Sequence, residues 1–343
     1  MIAEKTQRLS APASRERSFS WLGVAPDIVG LQTMIANLYM VGPAGTAEGW
    51  VLVDTGVPYF TGRILDAARQ RFGGQPPRAI VLTHGHFDHV GTVRDLLRDW
   101  DVPVYAHEEE LPYLTGQRDY PPPDPTVGGG LLARVASMYP RQAIDLGDRV
   151  QALPADGSIP EMPGWQWIHT PGHTPGHVSL YREADRVLLA GDAFVTTRQE
   201  SALSVLLQYG AVHGPPAYFT LDWRAARESV RKLASLRPLA AGTGHGPPMR
   251  GERLQSGLQY LAHNFDRVAV PRHGRYVEPS QPVEKGWRPA RGWIATRESK
   301  DEPKGSMWDQ ALTNVAATIG IVLGVAAVVR ALRRRSRTPH HVE

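Results

Sequence analysis

The apolar positions in the first part of the chain alternate between the spacing of strands and the spacing of helices. Residues 28–54 are rich in aliphatic side chains and predict two or three strands, with Gly42-Pro43-Ala44-Gly45 as a hairpin turn. From Thr61 to Phe72 the apolar residues recur on one helical face, and they do so again from Val90 to Trp100. Strands and helices therefore follow one another closely in this part of the sequence.

Two longer helices are predicted in the second half of the chain. Amphipathic spacing covers Trp223 to Leu236 and Arg250 to Val268, and Asp222 is a suitable N-cap for the first of these helices. Short apolar runs precede them and predict buried strands. Alternation of this kind is typical of an α/β protein, in which helices cover the faces of sheets.

Residues 112–160 interrupt the alternation. They contain Pro121-Pro122-Pro123 and Gly128-Gly129-Gly130 around a short helical run, which predicts an insertion that acts as a lid or lines a pocket. We expect residues 26–270, including this insertion, to form one folded domain. Residues 1–25 are polar and are predicted to be a flexible N-terminal segment.

The C-terminal part differs in composition from the domain. Residues 271–306 are rich in proline, glycine and charged residues and predict an extended linker. Residues 307–333 predict a transmembrane helix, because the 20 residues from Gln310 to Val329 carry no formal charge and match a bilayer core of roughly 30 Å. Within this helix, Gly320-x-x-x-Gly324 places small residues on one face and predicts pairing in a homodimer. Residues 334–343 form a basic tail.

The arginines after this segment favour a cytoplasmic C-terminus, whereas residues 1–25 contain no long apolar run of an export signal. We therefore expect a tail anchor that leaves the folded domain on the cytoplasmic side.

The net charge of +4 has its origin in the tail. Five of the 38 basic residues and one of the 34 acidic residues lie in 330–343, which leaves 33 of each. A neutral domain predicts no nucleic-acid partner.

The segment Thr83-His84-Gly85-His86-Phe87-Asp88-His89 carries three imidazoles and a carboxylate directly after the apolar run Ala79 to Leu82. Neutral histidine and ionised aspartate are the ligands that Zn²⁺ and other divalent ions prefer where thiolates are lacking, and the chain has no cysteine. The density of titratable groups makes a purely structural loop the weaker interpretation, because such groups are expensive to bury.

Further candidate ligands follow other strand-like runs. They are His173 and His177 after an aromatic run, Asp192 after Leu188-Leu189-Ala190-Gly191, and His245 after a run of small residues. Glycines flank each of them and allow sharp turns and close backbone approach. Asp54 follows Val51-Leu52-Val53 in the same way.

With these five motifs the chain resembles the metallo-β-lactamase superfamily of metal-dependent hydrolases, in its glyoxalase-II-like and lactonase-like branch. The resemblance covers about residues 30–270. It implies a four-layer αββα sandwich with a dinuclear centre at one edge, formed by two Zn²⁺ ions or, alternatively, by Fe or Mn. His84, His86 and His173 would bind one ion, Asp88, His89 and His245 the other, and Asp192 would bridge them.

Two divalent ions that share a water molecule can lower its pKa towards neutrality, and the resulting hydroxide can attack a substrate. Asp88 would orient this metal-bound hydroxide. Asp54 and His177 are expected to support the ligands by hydrogen bonds. Phe194, His213 and Tyr218 are candidate residues of a pocket for a small-molecule substrate.

Three classes of function are compatible with this resemblance. The favoured one is hydrolysis of a small acyl compound, namely a thioester, ester or lactone. The second is a phosphodiesterase or nuclease on the same scaffold, which the neutral domain disfavours. The third is an oxidoreductase similar to mononuclear iron persulfide dioxygenases.

Overall fold

Two β-sheets lie at the centre of the computed structural model, which describes residues 19–45, 49–208 and 210–277. The first sheet has seven strands that lie side by side in chain order: β1 (Leu22–Ala25), β2 (Ile28–Thr33), β3 (Ala36–Val41), β4 (Val51–Val53), β5 (Ala79–Val81), β6 (Val104–Ala106) and β7 (Val150–Ala152). The second sheet has five strands, and its spatial order is β12 (Met249–Arg250), β11 (Ala240–Gly242), β10 (Val187–Leu189), β9 (Val178–Arg182) and β8 (Trp165–His169).

Strand direction determines where the loops of each sheet emerge. β1 to β4 pair antiparallel, whereas β4 to β7 are parallel. In the second sheet, β10 and β11 are parallel and the other neighbours are antiparallel. The loops after β4 and β5 therefore emerge at one edge of the first sheet, and the loops after β10 and β11 emerge together from the second.

Helices α1 (Thr61–Phe72) and α3 (Val93–Asp99) pack on the first sheet, and helices α7 (Trp223–Ser235) and α8 (Gly251–Val268) pack on the second. Four shorter helices are α2 (Phe87–Val90), α4 (Leu111–Leu114), α5 (Leu131–Arg134) and α6 (Ala202–Leu207). Short 3₁₀ turns occur at Glu108–Glu110, Ala136–Met138, Gly147–Arg149 and Ala217–Phe219.

Side-chain alternation along the strands explains the layers. On β3, Leu38 and Met40 pack in a core with Ile64 of α1 and Leu96 of α3, whereas Tyr39 and its alternate neighbours face the second sheet. A third core lies between the second sheet and helices α7 and α8. Three apolar cores in succession produce the predicted αββα sandwich with two sheets.

Some predicted boundaries need correction. The flexible segment was predicted to extend to residue 25, but Leu22–Ala25 forms β1, because its backbone pairs with β2. The predicted insertion 112–160 includes β7, which belongs to the first sheet through its parallel pairing with β6. The helix predicted from Val90 to Trp100 is divided into α2 and α3.

The C-terminal predictions lie largely outside the described residues. Residues 271–277 are described, and there Tyr276 donates a hydrogen bond of 2.7 Å to the carbonyl of Pro122 in the insertion. The remaining linker, the predicted transmembrane helix at 307–333 and the basic tail at 334–343 are not among the described residues. Within 19–45, 49–208 and 210–277, no helix combines the length and the hydropathy needed to cross a bilayer.

Candidate metal centre

The predicted ligands lie together where the loops of the two sheets meet. Asp54 follows β4, and the segment that starts at His84 follows β5. Asp192 and His245 follow β10 and β11, and His173 lies in the hairpin loop between β8 and β9. Parallel pairing of β4 with β5 and of β10 with β11 is the reason these side chains share one edge of the sandwich.

Three imidazoles form the first ligand group. His84 Nε2 lies 3.0 Å from His86 Nδ1, and His86 Nδ1 lies 3.0 Å from His173 Nε2. All three residues are at most 2% exposed. Nitrogen atoms this close, each with a lone pair, can converge on one ion with bonds of about 2.0–2.1 Å.

A second ligand group lies beside the first, and Asp192 lies between them. His245 Nε2 is 3.5 Å from Asp88 Oδ2, and Asp88, His89 and His245 are close enough to share one cation. The Asp192 Oδ2 atom is 3.4 Å from His173 Nε2 of the first group, and 3.6 Å and 3.1 Å from the Nε2 atoms of His89 and His245. This single oxygen therefore faces ligands of both groups.

The polar atoms left without partners fit a bound cation. His89 Nε2 and Asp192 Oδ1 are buried and, within the part of the chain that the structure describes, have no hydrogen-bond partner. A buried polar atom without a partner costs about 1–3 kcal/mol, and a divalent ion would satisfy both of these atoms. Imidazole and carboxylate ligands suit zinc, iron or manganese, so the donor set agrees with the expected metals.

The first ligand group is neutral at physiological pH. Burial lowers the pKa of His84 and of His86 well below the ordinary value for histidine. It also lowers the pKa of His173, to about 4. Neutral imidazoles have the free lone pair that a metal needs, so these three residues are ready to bind one.

The second group has a different charge, because carboxylates lie among its imidazoles. Burial lowers the pKa of His89 and of His245, but neighbouring carboxylates together outweigh it and raise both pKa values. These carboxylates are Asp192 and Asp54 for His89, and Asp192 and Asp88 for His245. Burial raises the pKa of Asp192 in turn, but the charges of His245 and His89 outweigh it and hold that pKa well below its usual range. Protons therefore occupy this group when no metal is bound.

Asp54 orients His89. Its Oδ2 atom accepts a hydrogen bond of 2.8 Å from His89 Nδ1, and its Oδ1 atom accepts one of 2.8 Å from the backbone N–H of Thr83. The Nδ1 proton is thereby fixed, and His89 Nε2 faces the centre. Asp54 adopts a φ of 59°, a conformation that costs a residue with a side chain of order 1–3 kcal/mol and is typical of functional sites.

His177 supports the loop of Asp192. Its Nε2 atom accepts a hydrogen bond of 2.8 Å from the backbone N–H of Asp192, and its Nδ1 atom lies 2.8 Å from Thr170 Oγ1. Both ring nitrogens are used in these contacts. His177 therefore contacts the centre through the backbone of a predicted ligand, as its expected supporting role requires.

The three predicted pocket residues have different surroundings. Phe194 is fully buried in the core beneath α7 and α8, and these contacts give no support to a place in a pocket. His213 is half-buried and pairs with the backbone of Val195. Tyr218 packs in a small aromatic cluster with Phe219, whose ring stacks on that of His86 at 4.4 Å. The pocket assignment stays a prediction.

Two residues near the centre had no useful signal in the sequence. Phe219 contacts His86 from a 3₁₀ turn far along the chain, and only tertiary structure shows that contact. Glu110 ends the acidic run Glu108-Glu109-Glu110, which resembles a solvated turn, yet its side chain is fully buried. Burial raises the pKa of Glu110, and hydrogen bonds from Tyr120, Thr174 and two backbone N–H groups oppose the rise.

His107, Glu109 and His169 form another group of potential ligands, but its geometry suits a metal poorly. The two imidazole rings stack at 4.2 Å with an angle of 13° between their planes, so their lone pairs run side by side. His107 Nδ1 accepts a hydrogen bond from the backbone of Glu109, and His169 Nε2 lies 2.8 Å from the carbonyl of Pro175. These contacts occupy one nitrogen of each ring.

Comparison with known proteins agrees with the fold. The family model of the metallo-beta-lactamase superfamily matches residues 32–245. Probable metallo-hydrolase YflN of Bacillus subtilis is 48% identical over 258 residues, which cover 75% of this chain and 98% of that protein. Hydroxyacylglutathione hydrolase GloC of Haemophilus influenzae is 26% identical over 117 residues, which cover 34% of this chain and 49% of that protein.

A beta-lactamase domain protein from Burkholderia ambifaria has a similar fold, with a TM-score of 0.50 and 20% identity over 72% of this chain and 76% of that one. At this identity the likeness concerns the fold alone. The match of the family model to more than half of the chain, together with the nearly full-length relative, carries the assignment. The chain therefore belongs to the metallo-β-lactamase superfamily and is a metal-dependent hydrolase.

Proposed function

We propose that the centre binds two divalent cations and hydrolyses a small acyl substrate, namely a thioester, an ester or a lactone. The observation that carries this proposal is the position of Asp192 Oδ2, which lies 3.1–3.6 Å from imidazoles of both ligand groups. A carboxylate in that position can bridge two ions, whereas a mononuclear site would leave the second group without a function.

When bound, the two ions would lower the pKa of a water molecule and polarise the substrate carbonyl. The residues of the chain have separate tasks. Asp88, the most exposed of the predicted ligands at 6%, can accept a hydrogen bond from the attacking water and orient it. Phe219 and Tyr218 exclude bulk water from the side of His86, and a dry site strengthens the electrostatic interactions within it.

The choice of an acyl substrate has two supports. All seven predicted ligand positions are occupied by residues that can bind a metal, and Asp88-His89 is the form of the motif in the glyoxalase-II-like and lactonase-like branch. In addition, the relative GloC is named as a hydroxyacylglutathione hydrolase. A glutathione thioester is therefore the first substrate to test.

The first experiment measures the metal content of the purified protein and its activity on thioester, lactone, β-lactam and phosphodiester substrates. We expect two ions per chain and the highest kcat/KM on a thioester or lactone. One iron per chain with persulfide oxidation, or activity restricted to phosphodiesters, would contradict the proposal.

His86→Ala should abolish turnover and reduce bound metal, because it removes a nitrogen that both His84 and His173 approach at 3.0 Å. Far-UV circular dichroism should remain that of the wild type. His263→Ala, which changes an exposed histidine on α8, is the matched control and should keep full activity. Full turnover by His86→Ala would exclude this mechanism.

A membrane anchor is a separate proposal that rests on the sequence of residues 307–333. We propose that this segment anchors the enzyme with its catalytic domain on the cytoplasmic side, and that Gly320 and Gly324 allow the helix to pair with a second copy. The full-length chain should stay in the membrane pellet after alkaline extraction. Leu323→Arg should release it, because a charge at the helix centre costs about 2.5–3.5 kcal/mol on the insertion scale.

A further inference from the structure

Glu110 is a buried carboxylate that none of the predicted ligand sets includes. It lies at the end of the 3₁₀ turn after β6 and is fully buried, whereas Glu108 and Glu109 in the same turn are exposed. Burial of a carboxylate is costly unless hydrogen bonds compensate for the lost water. The hydrogen bonds of Glu110 therefore indicate which part of the structure this buried carboxylate stabilises.

Four donors surround the Glu110 carboxylate. Oε1 accepts hydrogen bonds from Thr174 Oγ1 at 2.7 Å and from the backbone N–H of Gly176 at 2.9 Å. Oε2 accepts one from the backbone N–H of Gly85 at 2.9 Å and another from the hydroxyl of Tyr120. Each oxygen thus receives two hydrogens, and the carboxylate has no donor of its own to offer.

Three of these four donors belong to the two loops that carry the first ligand group, and the fourth is the hydroxyl of Tyr120. Gly85 lies between His84 and His86, and Thr174 directly follows His173. One oxygen of Glu110 therefore contacts the first loop and the other oxygen contacts the second. Among the described residues the carboxylate forms no hydrogen bond with an imidazole, so its route to the metal centre is through the position of these loops.

The two loops pack so closely against Glu110 and Tyr120 that a side chain at position 85 or 176 would clash with them. A Cβ atom on Gly176 would lie 2.8 Å from Glu110 Cγ, and a Cβ atom on Gly85 would lie 2.8 Å from the Tyr120 hydroxyl. The Tyr120 ring in turn lies against His86, with ring centroids 4.5 Å apart. The carboxylate, the two glycines and the tyrosine therefore form one packed unit behind the first ligand group.

We propose that Glu110 is a positioning residue, which sets the distance between the His84–His86 loop and the His173 loop and so determines the affinity of the first metal site. This inference rests on the proposed binding of metal at the centre. Residues that orient metal ligands typically change metal affinity by about 10–100-fold when they are substituted.

The test uses Glu110→Gln in the full-length chain and measures the dissociation constant of the first metal ion by competition with a chelator. Glutamine has nearly the same shape as glutamate, but its NH₂ group would replace one carboxylate oxygen. That NH₂ group would then face the two hydrogen-bond donors of the oxygen it replaces. A hydroxyl can rotate away, whereas the backbone N–H of Gly85 or Gly176 cannot. We expect the dissociation constant to rise by about 10–100-fold, with circular dichroism unchanged.

Substitution of Co²⁺ for the native metal adds a readout that a merely structural role would not change. Its visible absorption reports the geometry of the ligands, and we expect the spectrum of Glu110→Gln to differ from that of the wild type. Glu108→Gln makes the same chemical change at an exposed position of the same turn and is the matched control. It should leave affinity and spectrum unaltered.

Milder variants decide the outcome if Glu110→Gln fails to fold. Thr174→Val and Tyr120→Phe each remove one hydroxyl donor, and both should weaken the first metal site several-fold. Wild-type affinity and Co²⁺ spectrum in Glu110→Gln, or in both milder variants, would overturn this inference alone. A wild-type chain that binds no metal would instead overturn the proposed function.

Discussion

At the residue scale, the two ligand groups differ in the protons that a metal must displace. His84, His86 and His173 have a lowered pKa and are neutral at pH 7. His89 and His245 have a raised pKa despite their burial, because Asp192 stabilises both charged forms, with Asp54 beside His89 and Asp88 beside His245. His89 keeps its Nδ1 proton towards Asp54, so the proton that a metal must displace is the one on Nε2.

We therefore predict that the first ion to occupy the three-histidine group releases no proton at pH 7, whereas the second ion releases protons from His89 and His245. Because these two residues hold protons above the ordinary histidine pKa, affinity for the second ion should fall as pH decreases. The expected fall is about tenfold per pH unit for each proton released. Calorimetric titration of the metal-free protein in buffers of different ionisation enthalpy measures how many protons each ion releases. Equal proton release for both ions would contradict the prediction.

At the scale of elements, helices whose ends depend on local signals were predicted closely. α1 spans the predicted residues, and α7 begins after the predicted cap Asp222, whose Oδ1 atom accepts a hydrogen bond of 2.9 Å from Ala225 N. The helix predicted from Val90 to Trp100 was wrong in its boundaries, because tertiary contacts interrupt it. There the N–H of Gly91 donates to the carbonyl of Gly56 instead of continuing the helix.

Asp222→Ala should lower the free energy of unfolding by about 1 kcal/mol, within the range of about 0.5–2 kcal/mol for loss of an N-cap. Asp222 also contacts the loop that carries His173, because its backbone N–H donates a hydrogen bond to the carbonyl of Gly172. Urea denaturation gives the change in stability. Arg224→Ala, at an exposed position of the same helix, should change it by less than about 0.5 kcal/mol. Equal effects of the two variants would refute the capping role.

At the scale of the whole molecule, the first sheet holds a ligand loop of the second. Asn37 on β3 donates from Nδ2 to the carbonyls of Thr243 and Gly246 at 2.9 and 2.7 Å. Tyr39 on the same strand donates to the Thr243 carbonyl at 2.7 Å. His245 lies between these carbonyls in the sequence, so packing of one sheet on the other sets its position.

Asn37→Ala should destabilise the protein by about 1–3 kcal/mol, because it leaves the buried carbonyl of Gly246 without its side-chain donor. It should also weaken binding of the second metal ion, since the His245 loop loses a support. Tyr39→Phe is the comparison variant, and its effect should be smaller because Asn37 still donates to the Thr243 carbonyl. The two variants are compared by thermal unfolding with and without metal. A second-ion affinity that Asn37→Ala leaves unchanged would contradict this account.

Residue types at short spacing were sufficient to predict the family, the helices with strong periodicity and the candidate metal ligands. His84, His86, Asp88 and His89 lie in one short segment of the sequence, and glycine-flanked strand ends identified the others. The residues that support these ligands became apparent from the folded arrangement of the two sheets. Glu110 and Asn37 contact ligand loops 66 and 209 residues away, respectively. No local pattern encodes such contacts, because packing of the two sheets alone brings these distant segments together.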